Sequence, residues 1–225
     1  MPPRPPTPTD PPPHGNGAAE AILRLLRAHR SATLVTPEAA RPCPTIIDPA
    51  TGRLVAALES DESLLDAATL FIPDESNDAL QLLVLPGSSE PATEAARDRY
   101  TAYHGAPTLT ALLSLTLDGA RRGDVIVDAS EIDLSDPFPT EAASIRRALN
   151  ADRQALARIC TRLGIELGLR AGEAPVALSV DPHGVDLRGP LGLRRYDFEH
   201  PARDAADLRA LASFLLPFDP DMTRL

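Results

Sequence analysis

Apolar residues recur at helical spacing over residues 17–30, where Ile22, Leu23, Leu25 and Leu26 sit among small aliphatic neighbours and Asn16 supplies an N-cap. The period then shortens to that of strands. Ala32–Thr36, Pro44–Ile47, Leu54–Leu58 and Leu80–Leu85 are short apolar runs bounded by Pro, Gly and acidic turns. Ser60 caps a predicted short helix over roughly 61–70. Residues 91–104 are predicted helical again, and Leu112–Leu117 and Val125–Val127 add two strands.

Beyond the breaker Ser135-Asp136-Pro137-Phe138-Pro139 the pattern changes. Thr140 opens a long helical stretch in which Ile145, Leu149, Leu156, Ile159, Cys160 and Leu163 share one side. A hairpin follows: Val176, Leu178 and Val180 alternate, Asp181-Pro182-His183-Gly184 supplies turn chemistry, and Val185 and Leu187 alternate back. Arg194–Phe198 is a third strand, and a last helix starts near Asp204 with Leu208, Leu211, Ala212 and Leu215 on one face. This order predicts an α+β chain, a β-barrel-like unit followed by a small helix–hairpin–strand–helix unit. The expected divisions are a Pro-rich tail over 1–17, the barrel over 18–137 and the second unit over 138–225. The tail carries eight of the 24 prolines in its first 13 residues, so we expect it to be disordered, and neither a signal peptide nor a membrane span.

Composition narrows the chemistry. No apolar run approaches the roughly 18–20 residues of a membrane span, which predicts a soluble protein. All 22 basic residues are arginine, which excludes a Schiff-base lysine, a lysine base and the lysine of a P-loop. A net charge of −10 with no tryptophan disfavours nucleic acid as a partner. The excess is confined to one unit: residues 1–137 carry 20 acids and 10 arginines, whereas 138–225 carry 12 of each. Cys43 and Cys160 are too few for a disulfide scaffold. No nucleophile elbow, Gly-rich phosphate loop, calcium loop or histidine pair at metal spacing is present.

Ala32–Thr36 with Arg41-Pro42-Cys43-Pro44-Thr45 resembles the first hairpin of pyridoxamine 5'-phosphate oxidase-like split barrels. Glu59-Ser60 with Leu64 and Leu65, and Arg97-Asp98-Arg99-Tyr100 with His104, are similar to that family's next strand end and helix. Ala148–Asp152, Val180–Arg188, Arg195–Phe198 and Asp207-Leu208-Arg209 resemble the C-terminal domain of the haem-utilisation branch. The resemblance implies a split β-barrel, a homodimer with ligand clefts between the paired barrels, and a bacterial cytoplasmic setting. It implies haem or FMN as cofactor, with some relatives opening the haem ring with oxygen and others holding neither group. Arg153 stands where the family commonly has a histidine, so that position is not carried over.

The residues weigh the cofactors differently. For FMN, Thr45 and Ser60 are the hydroxyl positions on the phosphate side, and Arg41 is the nearest cation. Seven carboxylates between Glu59 and Asp78, with no cation among them, oppose a phosphate unless they form a solvated face away from it. For haem, the demand is an apolar cleft, an axial ligand and cations for two propionates. His200, in the loop before the last helix, is the first candidate for iron ligand, and His183 is the second, although a hairpin turn ordinarily holds an exposed histidine. His29 and His104 lie near helix C-termini, where an imidazolium favours the dipole without further chemistry. Arg194 and Arg195 are the candidate propionate partners, against the alternative of a solvated sheet face with cross-strand pairs. The expected function is haem binding in haem-iron utilisation, with oxygenase activity as an extension. The alternatives are an FMN-dependent oxidoreductase and a cofactor-free dimeric binding or regulatory module.

Overall fold

Buried and more exposed positions alternate along most of the described strands between residues 31 and 128, and the result is one antiparallel sheet of nine strands curled into a half-barrel. The computed structural model describes residues 16–37, 39–59, 68–76, 78–85, 90–107 and 110–216. The Pro-rich tail, Ser60 and most of the predicted 61–70 helix lie outside the described residues.

Helix α1 (Asn16–Ala28) leads into β1 (Ser31–Val35), β2 (Ala40–Ile47) and β3 (Leu54–Glu59). Then come β4 (Ala68–Ile72), β5 (Leu80–Val84), the short β6 (Glu90–Pro91) and helix α2 (Glu94–His104). Strands β7 (Thr110–Leu115), β8 (Leu117–Arg122) and β9 (Val125–Asp128) complete the sheet in the order β6-β7-β3-β2-β1-β4-β5-β8-β9. Ile22 and Leu26 of α1 pack with Leu34, Leu58, Leu70, Leu82 and Leu115 on the inner face.

Besides the short β6, which takes Pro91 from the start of the predicted 91–104 helix, two strands differ from the pattern reading. Residues 68–70, assigned to the end of a helix, open β4, whose Ala68, Leu70 and Ile72 alternate into the core. β8 went unrecognised because its sequence LDGARR buries only Gly119 and Ala120. Pairing with both β5 and β9 makes it a strand where its own propensity does not.

The C-terminal unit follows the expected order. The long helical stretch is two helices, α3 (Pro139–Ala151) and α4 (Arg153–Arg162), because Asp152 leaves helical geometry at φ −125° and caps α4 through the Ala155 N–H. Strands β10 (Val176–Asp181), β11 (Gly184–Gly189) and β12 (Gly192–Asp197) form a separate antiparallel sheet, and Asp204 caps α5 (Ala205–Ala212). Leu149, Leu156, Val185, Leu187 and Leu208 make the core between this sheet and its helices.

The two sheets meet across α2. Tyr100 and Tyr103 of α2 cover Ile46 and Val55 on the outer face of β2 and β3, and Leu178 and Leu193 of the small sheet pack against the same cluster. The outer face of the half-barrel is thereby covered over β2, β3 and β7. Beyond β1 it carries a run of apolar side chains at the surface. Val35, Phe71 and Leu83 are outward by alternation, and Ile126 is 74% exposed at the far edge.

Candidate functional site

The seam between the units is polar, and it starts with a β-bulge. A register shift between Ala177 and Ser179 lets Leu178 and Ser179 both face the barrel, while Ala177 and Val180 stay in the C-terminal core. Ser179, Asp181, Asp186 and Arg195 therefore line one face of the small sheet, opposite the end of α1 and the last turn of α2.

Asp186 is the centre of this seam and is buried. Its Oδ2 accepts from Arg30 Nη2 at 2.5 Å, Tyr103 Oη at 2.7 Å and Ser179 Oγ at 2.8 Å, and its Oδ1 accepts from Arg195 Nη1 at 2.9 Å. Tyr103 Oη and Ser179 Oγ also lie 2.6 Å apart. Two hydroxyl protons face these three contacts, so two of the three are donated at any one time. Arg195 also donates to both oxygens of Asp181 and, through Nε, to the exposed Asp197. Although burial alone would raise it, the flanking Arg30 and Arg195 guanidinium groups hold the Asp186 carboxyl well below the usual carboxylate range. The same pairing outweighs burial at Arg195, whose pKa is raised by Asp181 and Asp186. Arg188 adds a second clamp, donating to the carbonyls of Ala102 and Tyr103 at the end of α2.

Beside this network lies an open cavity of about 260 Å³, lined by His29, Arg30, Ser31, Tyr103, His104, Asp186 and Leu193–Arg195. His104 Nε2 donates to the Thr45 carbonyl at 3.1 Å, which leaves Nδ1 as an acceptor, and its ring lies 4.8 Å from that of Tyr100, tilted by 47°. His29 forms no side-chain hydrogen bond among the described residues. Burial, reinforced by Arg30, lowers the pKa of both imidazoles, so both are neutral at pH 7. A neutral imidazole with a free ring nitrogen is a transition-metal ligand.

The candidates read from the sequence fall in several places. Arg194 and Arg195 border the cavity; Arg194 is exposed, whereas Arg195 is taken up by three carboxylates. Asp186 and Arg195 pair in register across β11 and β12, and the face that carries them is buried rather than the solvated sheet face expected from the sequence. His200 is exposed beside α5, with Nδ1 3.1 Å from the Pro201 carbonyl. His183 is buried instead of lying open in its turn, with Nδ1 3.5 Å from Glu20 Oε1. Thr45 is 1% exposed and alternates with Cys43 and Ile47 on the inner face of β2. Ser60 lies outside the described residues. The alternation reading did not single out Arg30, Tyr103, Ser179 or Asp186, and no local signal marks them.

These placements test the two cofactors. Thr45 faces the barrel core, and the described residues build no set of cations and hydroxyls around it, so they do not fit a flavin phosphate. For haem, the cleft supplies neutral imidazole nitrogen and an exposed arginine, which fit an axial ligand and a propionate. The cavity is below the roughly 300–1,000 Å³ of an enclosing ligand pocket and offers few apolar side chains. Among the described residues no group of three or more His, Cys, Asp or Glu side chains is placed to hold a metal ion, and no helix is long and apolar enough to cross a membrane.

No protein-family model matches the chain, and no curated protein does. Among solved structures, the chain is similar to a protein of unknown function from Agrobacterium tumefaciens strain C58. The identity is 19% over 92% of this chain and all of the other, with a TM-score of 0.59. A haem-binding protein from Mycobacterium smegmatis aligns at 19% identity over 88% of this chain and 95% of its own, with a TM-score of 0.40. The first likeness defines a shared α+β fold.

Proposed function

We propose that this chain is a haem-binding protein that works as a homodimer in haem-iron utilisation in the cytoplasm. The observation that carries the reading is the position of the His29 cleft. It includes Ser31, the first residue of β1, and β1 is the border between the covered and the uncovered outer face of the half-barrel. A second copy seated on Val35, Phe71, Leu83 and Ile126 meets the edge of the cleft and provides the apolar wall that one chain lacks. In this arrangement His29 would hold the iron through a ring nitrogen and Arg194 would pair with a haem carboxylate, while His104 donates to the Thr45 carbonyl beside them. Bound haem supplies iron chemistry with oxygen; the chain's own part is to orient the ring and exclude water around it.

The test is a haem titration of the purified full chain, followed by its Soret band. Saturation at one haem per chain, lost in His29→Ala and retained in His200→Ala and His183→Ala, supports this reading. A featureless titration, or a His29→Ala spectrum identical to the wild type, overturns it.

A second reading has its own support. Arg195 is held by Asp181, Asp186 and Asp197, and Asp186 also by Arg30, so the charges on the polar face of the small sheet are paired without a ligand. In that reading the chain is a cofactor-free dimeric binding module. A dimer that binds neither haem nor FMN leaves this one standing.

A further inference from the structure

A second cavity, of about 340 Å³, opens on the other side of Tyr103, between α2, α3 and β10. Its size falls within the range of small-molecule sites. Four charged side chains line it: Asp98 and Arg99 of α2, Asp136 before α3, and Arg146 of α3. Among the described residues, no two of them form an ion pair, and Asp98, Arg99 and Arg146 make no hydrogen bond at all. Arg99 Nε is buried without a partner, and the guanidinium stands 5.7 Å from the centre of the Tyr103 ring. Asp136 accepts one bond, at 2.9 Å from the Phe138 N–H, through Oδ1. Burial pushes its carboxyl up, outweighing the Phe138 N–H and the nearby Arg27 and Arg99, neither of which forms an ion pair with it. The floor between these groups is apolar, made by Ala102, Ala142, Leu178 and Val180.

Two cations and two anions that leave one another unpaired around one apolar floor are complementary to a ligand carrying both charges. A simple anion gains the arginines but meets Asp98 and Asp136; a simple cation has the reverse problem. A zwitterion satisfies both sets. We propose that this cavity binds a free aliphatic α-amino acid, its carboxylate at Arg99 and Arg146, its ammonium group at Asp136 and Asp98, and its side chain on the floor. The site stands apart from the His29 cleft and does not depend on haem binding.

The experiment is isothermal titration of the full chain, free of haem, with L-leucine, 4-methylpentanoate and 3-methylbutylamine. The last two each lack one of leucine's charges. The expected result is saturable binding of leucine, with each truncated probe at least about tenfold weaker, the factor that follows from losing one charge-assisted hydrogen bond. Arg146→Gln and Asp136→Asn each weaken leucine by a similar factor. Arg146 is exposed, and the asparagine retains an oxygen for the Phe138 N–H, so both variants are expected to fold; an unchanged far-ultraviolet circular dichroism spectrum checks this. No binding of leucine at about 10 mM, far weaker than ordinary ligand affinities, overturns the proposal. So does 4-methylpentanoate binding as tightly as leucine, or leucine affinity unchanged in folded Arg146→Gln.

Discussion

Arg30 and Asp186 stand 156 positions apart in the chain and meet in a 2.5 Å ion pair, both side chains nearly sealed from solvent. Arg30 also donates to the carbonyls of Leu26 and His29, so the pair fastens the end of α1 to the middle strand of the small sheet. Arg195 and Tyr103 close the same carboxylate from two other elements, β12 and α2. One acidic residue thus joins the half-barrel, its covering helix and the C-terminal unit.

Removing that carboxylate leaves the buried Arg30 guanidinium without its anion and takes one of three carboxylates from Arg195. Asp186→Ala is expected to cost about 3–5 kcal/mol, the usual penalty for breaking a buried pair from one side. Asp197→Ala removes an exposed partner of the same Arg195 and is expected to cost less than about 1 kcal/mol. Urea denaturation of both variants checks the contrast, and equal losses would show that the buried network is not what holds the seam.

Acidification should weaken the fold in the range where histidine titrates. Burial lowers the pKa of His29, His104 and His183 in the folded chain, so the unfolded chain binds protons first as pH drops below about 6.5. Stability is therefore full above that pH and declines as pH falls through the unfolded value toward the folded ones. Asp186, held low by its arginines, has the same sign but acts only once pH falls below the ordinary carboxylate range. The thermal midpoint should drop between about pH 7.5 and 5.5, and less steeply in His183→Gln. A flat profile over that interval would contradict the burial assigned to these imidazoles.

Gly184 opens β11 opposite Asp197, and a Cβ there would collide with the backbone carbonyl oxygen of Tyr196. That oxygen belongs to the paired strand and cannot swing aside as a side-chain tip does. Gly184→Ala is expected to cost about 1–3 kcal/mol or more, the penalty of overpacking. Gly105→Ala provides a comparison for a different cause, since space is open there and only its φ of +84° resists a side chain.

The proposed pairing of two chains rests on the apolar outer strip. Leu83 is 43% exposed and Ile126 more so, and neither packs into a core. Leu83→Arg and Ile126→Asp are expected to halve the solution mass seen by light scattering while leaving the circular dichroism spectrum unchanged. A wild-type chain that runs as a monomer at micromolar concentration would remove this surface from the proposed function.

Local signals in the chain were enough for most elements. Alternating apolar residues marked β1, β3, β5 and the β10–β11 hairpin, and Asp204 announced α5 by a cap that the fold uses. The signals failed where neighbours decide. β4 begins where the sequence predicts the end of a helix, β8 is a strand only through the pairs on its two sides, and Asp152 divides what periodicity presents as one helix.

The candidate site shows the same division. By itself the sequence determined that an α+β chain would form and that its hairpin would turn at Asp181–Gly184. Those outcomes depend on residues a few positions apart. Only the tertiary structure decided which side of that hairpin would be covered, and so that Asp186 would be an interior anion, that His183 would be buried, and that His29 and His104 would share a cleft. The free energy of a charge depends on what surrounds it in space, and for Asp186 those surroundings come from Arg30 and Tyr103, more than 80 positions away.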